Sequence, residues 1–496
     1  MPTPITLDGH SLSIADVVAV ARHAAPVAIA PQALASVGVS RRAVESAVAR
    51  GDTIYGVNTG FGKLAHVRIK PDQARELQLN LIRSHASGVG EPLSVDAVRA
   101  MMLLRANVLL RGTSGVRAIL PELIVGMLNA QVHPRVPSQG SVGASGDLAP
   151  LAHLALAMIG EGEGEGGSAL RARQLAPITL EAKEGLAFVN GTQAQTGLAA
   201  LLVHDAWVLW RTAHAAAAMS LEAVRGTPAP FDARIHEARP HAYQQRSAAL
   251  LRTLLADSEI RESHRENDPR VQDAYSLRCT PQVLGAVGEG LALAERLVTT
   301  ELNAATDNPL VIDGDILSGG NFHGQPIALA LDVIGIVLAT LAGLAERRLE
   351  RIVNPDLSSG LPAFLARDPG LESGFMTAQI AAAALVAECR VLATPASVQS
   401  VPTEGNQEDV VPMGMTAAWK AERILANAAR IVAIELLAAA QGLEFLRPLK
   451  PGQGVARTLA ALRRLVPPLA GDRPLSGDIE RIAAGLRDGT FDPEAA

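Results

Sequence analysis

The chain has 496 residues, a formal net charge of −6, 48% hydrophobic residues and only 3% aromatic ones. The acidic balance leaves no basic face for nucleic acid and no polybasic patch for a membrane surface. Two cysteines, Cys279 and Cys389, cannot build a disulfide framework and point to a reducing, cytoplasmic setting. A core this poor in aromatics must be aliphatic, and alanine and leucine, its most helix-prone members, predict a mainly α fold.

In chain order, the first eight residues lack the basic start and apolar core of a secretory signal. Helical patterns follow at 40–50, 72–85 and 95–111, alternating with Gly-rich loops, and define a smaller, loop-rich N-terminal catalytic region over 1–200. The alternating Gly and Glu of 160–167 read as an exposed turn. Long Ala/Leu helices are expected at 196–223, 283–304, 325–353, 377–392 and 416–441, so 201–496 is read as a long-helix bundle region. Polar loops at 272–282, 318–325 and 399–412 separate these helices.

The run 326–345 is apolar except for Asp332 and Thr340, and it continues into Glu346-Arg347-Arg348-Leu349-Glu350-Arg351. An acidic residue within the run and both charge signs beyond it argue against a membrane span. They favour burial in a bundle or at a subunit interface. Residues 448–453 break the last long helix and begin a short C-terminal tail. The sequence shows no internal repeat, no nucleotide-binding glycine fingerprint and no metal-ligand spacing.

The hexapeptide Gly143-Ala144-Ser145-Gly146-Asp147-Leu148 carries the most chemistry. Attack of the Gly146 amide nitrogen on the Ala144 carbonyl, with that carbonyl oxygen leaving as water and the Ser145 hydroxyl then leaving as a second water, would give a conjugated electrophilic ring. No natural side chain is a strong carbon electrophile, so such a ring opens otherwise inaccessible reactions. Residues 134–143, rich in Pro, Ser and Gly, suit strained backbone upstream. Downstream, Asp147 is placed to cap the apolar helical run that begins at Leu148.

This loop, together with Tyr55-Gly56-Val57-Asn58-Thr59-Gly60-Phe61-Gly62, Asn190-Gly191-Thr192-Gln193, Gln272-Asp273-Ala274-Tyr275-Ser276-Leu277-Arg278-Cys279, Gly320-Asn321-Phe322-His323-Gly324 and Asn406-Gln407-Glu408-Asp409, resembles the histidine and aromatic amino acid ammonia-lyase family. The six blocks occur in that family's order from about residue 50 to about residue 410. The resemblance implies that Ala144, Ser145 and Gly146 form a methylidene-imidazolone (MIO) ring autocatalytically, with no external cofactor. It further implies a small amino acid substrate and a homotetramer whose sites draw on several subunits.

In that family such a ring engages the substrate amine while a base removes the β-proton. Tyr55 is the expected base, and its phenol, with an ordinary pKa near ~10, needs its anion stabilised to act at neutral pH. Tyr275 is a second catalytic candidate. Arg278 would hold the substrate carboxylate through its fork of donors. Asn190 and Gln272 would supply amide donors, and Phe322 would contact the substrate from above.

Two places bear on the substrate. In Arg83-Ser84-His85-Ala86 the Ser-His pair marks the family's histidine branch, and His85 can hydrogen-bond an imidazole. Glu408 keeps that branch's carboxylate, which suits a ring with N–H donors and would be poorly solvated beside a phenyl ring. Against this, Val410, Pro412, Thr394 and Gln399 depart from the histidine branch. The expectation is therefore elimination of ammonia from L-histidine to give urocanate. A modified histidine, tyrosine or phenylalanine remains open as the substrate of a lyase or aminomutase.

Overall fold

A computed structural model describes residues 3–162 and 167–494. The protein is 59% helical, with nineteen α-helices and three two-stranded sheets among the described residues. The mainly α expectation holds. Positions 163–166 of the Gly/Glu turn lie outside the described residues.

The expected helices form with shifted ends. Helix Pro31–Arg50 begins nine residues before the predicted start at 40, because Pro31 sets its first turn while Gly38 and Ser40 blur the apolar period. Gly51 closes it in the left-handed region, at φ 77°. Helix Val95–Leu110 starts at Ser94, whose Oγ accepts from Ala97 N at 3.3 Å. The long helices appear as Gln193–Ala223, Thr280–Glu301, Gln325–Val353, Met376–Leu392 and Gly414–Glu444. The segment read as a tail contains two further helices, Gln453–Leu465 and Ser476–Arg487.

The chain divides into two compact units. The first comprises Met1–His204 together with Ala294–Asp332 and Pro395–Trp419. Its returning segments are held by buried polar contacts that no local pattern announces. Asn107 Nδ2 donates to Leu302 O at 3.0 Å, and Thr192 Oγ1 donates to Glu301 Oε1 at 2.7 Å. Lys183 pairs with Asp307 at 3.1 Å, with both side chains fully buried. Asp332, the one acidic residue of the apolar run, accepts from the backbone N–H of Ala396 and Ser397 at 3.0 and 2.7 Å. That carboxylate anchors the segment carrying Glu408. The phrases 294–332 and 395–419 thus place two motif loops with the loops of 1–204.

The second unit comprises Asp205–Leu293, Val333–Thr394 and Lys420–Ala496. Its core gathers the rare aromatics. Trp210 is fully buried, its Nε1 donates to Leu284 O at 2.6 Å, and the Trp207 and Tyr243 rings lie 5.3 Å apart. Arg348 and Glu435 form a buried fork-to-fork ion pair at 2.5 and 2.9 Å, and Ser220 Oγ supplies a further donor to Glu435 at 2.7 Å. These donors satisfy the Glu435 carboxylate, while Arg348 Nη1 is buried without a partner.

Helices Gln325–Val353 and Gly414–Glu444 are long and apolar enough to cross a membrane, and 56% and 78% of their most apolar stretches are buried within the fold. Cys279 and Cys389 are both free thiols.

Candidate active site

The loop 140–147 is held from several sides within the first unit. A small antiparallel pairing, Val89–Pro92 with Pro137–Gln139, joins the chain just after His85 to the chain just before the loop. Gly324 N donates to Gly143 O at 3.0 Å and Met413 N donates to Val142 O at 2.8 Å. These bonds bring the loops of Phe322 and Glu408 to the same place.

Gly143 and Gly146 adopt φ of 75° and 82°, a region that β-carbon-bearing residues rarely enter. A side chain at Gly146 would collide with the backbone of Gly191, to which Gly146 is bridged in parallel. Only glycine at 146 allows this close approach of the loop to Gly191. Ala144 is buried and Ser145 half-buried.

Asn190 Nδ2 donates to the Ser145 carbonyl oxygen at 2.9 Å, while Asn190 Oδ1 is buried with no hydrogen-bond partner. Arg105, fully buried, fixes this asparagine from behind. Its Nη1 donates to Asn190 O at 3.0 Å and to Gln193 Oε1 at 2.6 Å, and its Nη2 donates to Ala187 O. Burial pulls the guanidinium down to about 10, against the attraction of Asp307. An arginine in so apolar a helix is the sequence signal that would have found it, since a buried cation needs partners.

Asp147 occupies the N-terminal cap position of helix Leu148–Met158 but makes no side-chain cap there. The reason is competition. Its carboxylate instead accepts from Gln195 N at 2.9 Å, at the start of helix Gln193–Ala223, and from Ser141 Oγ at 2.8 Å. Burial pushes its pKa up to about 6, opposed by those donors. Two helix N-termini thus face residues 144–147, and their partial positive charge favours electron density on the nearby carbonyl oxygens.

Tyr55 lies half-buried in the Gly-rich loop 55–62, and its phenolic oxygen accepts from Gly62 N at 2.9 Å. Gln78, fully buried, spends both ends of its amide on this loop's surroundings. Its Nε2 donates to Gly56 O and its Oε1 accepts from Leu186 N, each at 3.0 Å. Gln78 was not legible as a site residue, because it reads as an ordinary polar position on a helix. Burial raises the Tyr55 pKa, the Gly62 N–H opposes this, and Glu404 and Glu408 add to the rise. Within the first unit the phenol is therefore held protonated, contrary to what a base needs at rest.

His85 ends helix Ala74–His85, with Ser84 Oγ 3.0 Å from its Nδ1. Burial keeps its pKa below the usual value, while a backbone bond to Leu81 and the Glu408 charge push it back up. Glu408 Oε2 accepts from Thr403 Oγ1 at 2.5 Å, and its Oε1 is buried without a partner. Phe322 is half-buried, and the next residue, His323, places Nε2 3.1 Å from Val410 O.

Gln272, Tyr275 and Arg278 belong to the second unit. Residues Tyr275–Arg278 form a single helical turn, Arg278 Nη1 donates to Gln272 Oε1, and Tyr275 is 76% exposed. A separate cleft of about 480 Å³ in the first unit is lined by none of the motif residues. Within it Arg41 pairs with Glu45 and Arg75 with Glu181. Among the described residues no group of three or more His, Cys, Asp or Glu is placed to hold a metal ion.

The aromatic amino acid lyase family profile matches residues 12–464. The chain is 51% identical to a histidine ammonia-lyase of Koribacter versatilis, over 97% of this chain and 98% of that protein. Among solved structures it is similar to histidine ammonia-lyase from Trypanosoma cruzi, at 44% identity and a TM-score of 0.91, covering 99% and 94% of the two chains. It is also similar to tyrosine aminomutase from Streptomyces globisporus, at 41% identity and a TM-score of 0.94, covering 99% and 98%.

Proposed function

The chain belongs to the aromatic amino acid lyase family, and from that premise we propose that it eliminates ammonia from L-histidine to give urocanate. It is a carbon–nitrogen lyase. The observation that carries the choice of substrate is Glu408 Oε1, a buried acceptor with no partner, electrostatically coupled to His85. A buried lone acceptor costs free energy until a donor meets it, and an imidazole N–H is such a donor where a phenyl ring has none. His85, kept neutral, can accept from or donate to the same ring.

Residues 144–146 fit an MIO ring: glycine at 146 permits the tight, left-handed loop against Gly191, and Asn190 already bonds the Ser145 carbonyl. When formed, that ring supplies a carbon electrophile for the substrate amine. Asn190 Nδ2, backed by two helix N-termini, is placed to hold negative charge that the ring would put on the Ser145 oxygen. The unpartnered Asn190 Oδ1 suits an ammonium donor. Tyr55 takes the β-proton at its phenolic oxygen, where Gly62 N–H stabilises the anion.

Arg278 grips the substrate carboxylate, with Gln272 orienting its guanidinium, while Tyr275 works beside them and Phe322 covers the ring. The exposed Tyr275 fits a homotetramer in which the second unit of one subunit serves another subunit's site. A cytoplasmic enzyme suits the two free thiols.

The test is a panel of L-histidine, methylated and sulfur-bearing histidines, L-tyrosine and L-phenylalanine, assayed for ammonia and for the β-amino acid. Ammonia with urocanate absorbance, strongest for L-histidine, is expected. Ammonia from a modified histidine or tyrosine alone, or a β-amino acid product, overturns the reading.

A further inference from the structure

Residues 403–408 form a tight loop closed by a bridge between Thr403 and Glu408, in which Thr403 N donates to Glu408 O at 2.8 Å. At its tip Glu404, Gly405 and Asn406 are all left-handed, with φ of 48°, 61° and 65°. Two of these carry side chains, so the conformation costs backbone energy, and such strain persists only where the surroundings impose it. Its result is specific. The Glu404 carboxylate lies over Gly62, where any β-carbon would collide with it. Gly62 is the residue whose N–H donates to the Tyr55 oxygen.

We propose that Glu404 is a specificity-determining residue: with Glu408 it makes the Tyr55 side of the site a two-carboxylate face that selects a substrate ring carrying positive charge. The inference rests on the histidine reading and deepens it, by naming the imidazolium form as the one held. The groups facing Glu404 are Glu408, Tyr55, His85 behind Glu408, and Lys63, whose aliphatic stem packs by Gly405. Among the described residues no cation is ion-paired with Glu404, so its charge remains available to a ligand. Partial burial raises its pKa, and the charge of the neighbouring Glu408 adds to the rise.

A cationic ring brought between the two carboxylates relieves that repulsion. It also offsets the field that keeps Tyr55 protonated, so binding the correct ring draws the phenol towards the ionised form it needs. A neutral ring does neither. Recognition and activation of the base are thereby coupled through one pair of charges. An imidazolium also withdraws electrons from the adjacent β-carbon, which makes the proton that Tyr55 removes more acidic.

Glu404→Gln keeps size and hydrogen bonding while removing the charge. The full-length enzyme and this variant are compared for KM and kcat with L-histidine between pH 6 and 9, and for competitive inhibition by L-phenylalanine. The variant is expected to raise KM for histidine about fivefold, the scale of one partly exposed charge pair, while leaving the phenylalanine inhibition constant unchanged or lower. The limb of kcat/KM that rises with Tyr55 ionisation should move to lower pH, because a negative neighbour is gone. Equal weakening of histidine and phenylalanine, or an unchanged histidine KM and pH profile, overturns the inference and leaves the histidine reading standing. Failure of the unsubstituted enzyme to release ammonia from histidine overturns both.

Discussion

Asn190 offers the sharpest perturbation of the chemistry. Its Nδ2 reaches the Ser145 oxygen at 2.9 Å, and its own carbonyl is fixed by Arg105 Nη1 at 3.0 Å. Asn190→Ala therefore removes one donor without releasing the backbone that carries it. A donor aimed at developing charge in a buried site is worth about 3–4 kcal/mol of transition-state stabilisation, so kcat for ammonia release should fall about 10²- to 10³-fold. The effect on stability is much smaller, about 1 kcal/mol, because the deleted amide also takes away an unpartnered acceptor. The assay is steady-state ammonia release beside the melting temperature and the intact mass of the same preparation. A kcat within about threefold of the unsubstituted enzyme, with the mass still lowered by ring formation, would refute the charge-holding role of Asn190.

Three further outcomes follow from the geometry. Gly191→Ala places a β-carbon against Thr306 O, Gln193 Oε1 and Arg105 Nη1 at a backbone φ of 151°, and should lose at least about 3 kcal/mol of stability, read as a lower melting temperature. An unaltered melting temperature would contradict the packing described. His85→Leu should raise KM for histidine about tenfold or more while improving inhibition by phenylalanine, and a parallel loss for both would count against ring recognition. Asp147 has a folded pKa of about 6 against an ordinary 3.8, so the folded state binds the extra proton between those values. Its contribution is present below the lower value and lost as pH rises through the upper, by about 3 kcal/mol. The melting temperature of Asp147→Asn relative to the unsubstituted enzyme should therefore climb from pH 4 to pH 7, and a flat difference would be inconsistent with a buried, raised carboxyl.

The helical character of the chain was legible because alanine and leucine dominate long stretches, and the prediction for 325–353 matches the observed helix end to end. The loops at Tyr55, Ser145 and Asn190 drew notice through the family resemblance of their motifs, and for Ser145 also through the small residues around it. Other features depend on partners distant in sequence. Asp147 looks like the cap of its own helix, yet Gln195 N and Ser141 Oγ outcompete that role. Gln78 occupies an ordinary helical position, and only burial reveals that it fixes the Tyr55 loop; Arg105 stands out as a charge in an apolar helix, but its partner Asn190 lies 85 residues away and is visible only in the fold. The return of Ala294–Asp332 and Pro395–Trp419 to the first unit rests on single contacts such as Asp332 with Ala396 and Ser397, which no period encodes. Glu404 escaped notice because its place over Gly62 depends on three consecutive left-handed residues.

The most direct test of the account is the mass of the peptide containing residues 144–146, isolated from active enzyme and from Ser145→Ala. The account predicts a peptide lighter by the water lost in ring closure and dehydration, an uncyclised peptide in Ser145→Ala, and ammonia release from histidine only in the former. An unmodified peptide from fully active enzyme, or undiminished turnover by Ser145→Ala, would contradict it.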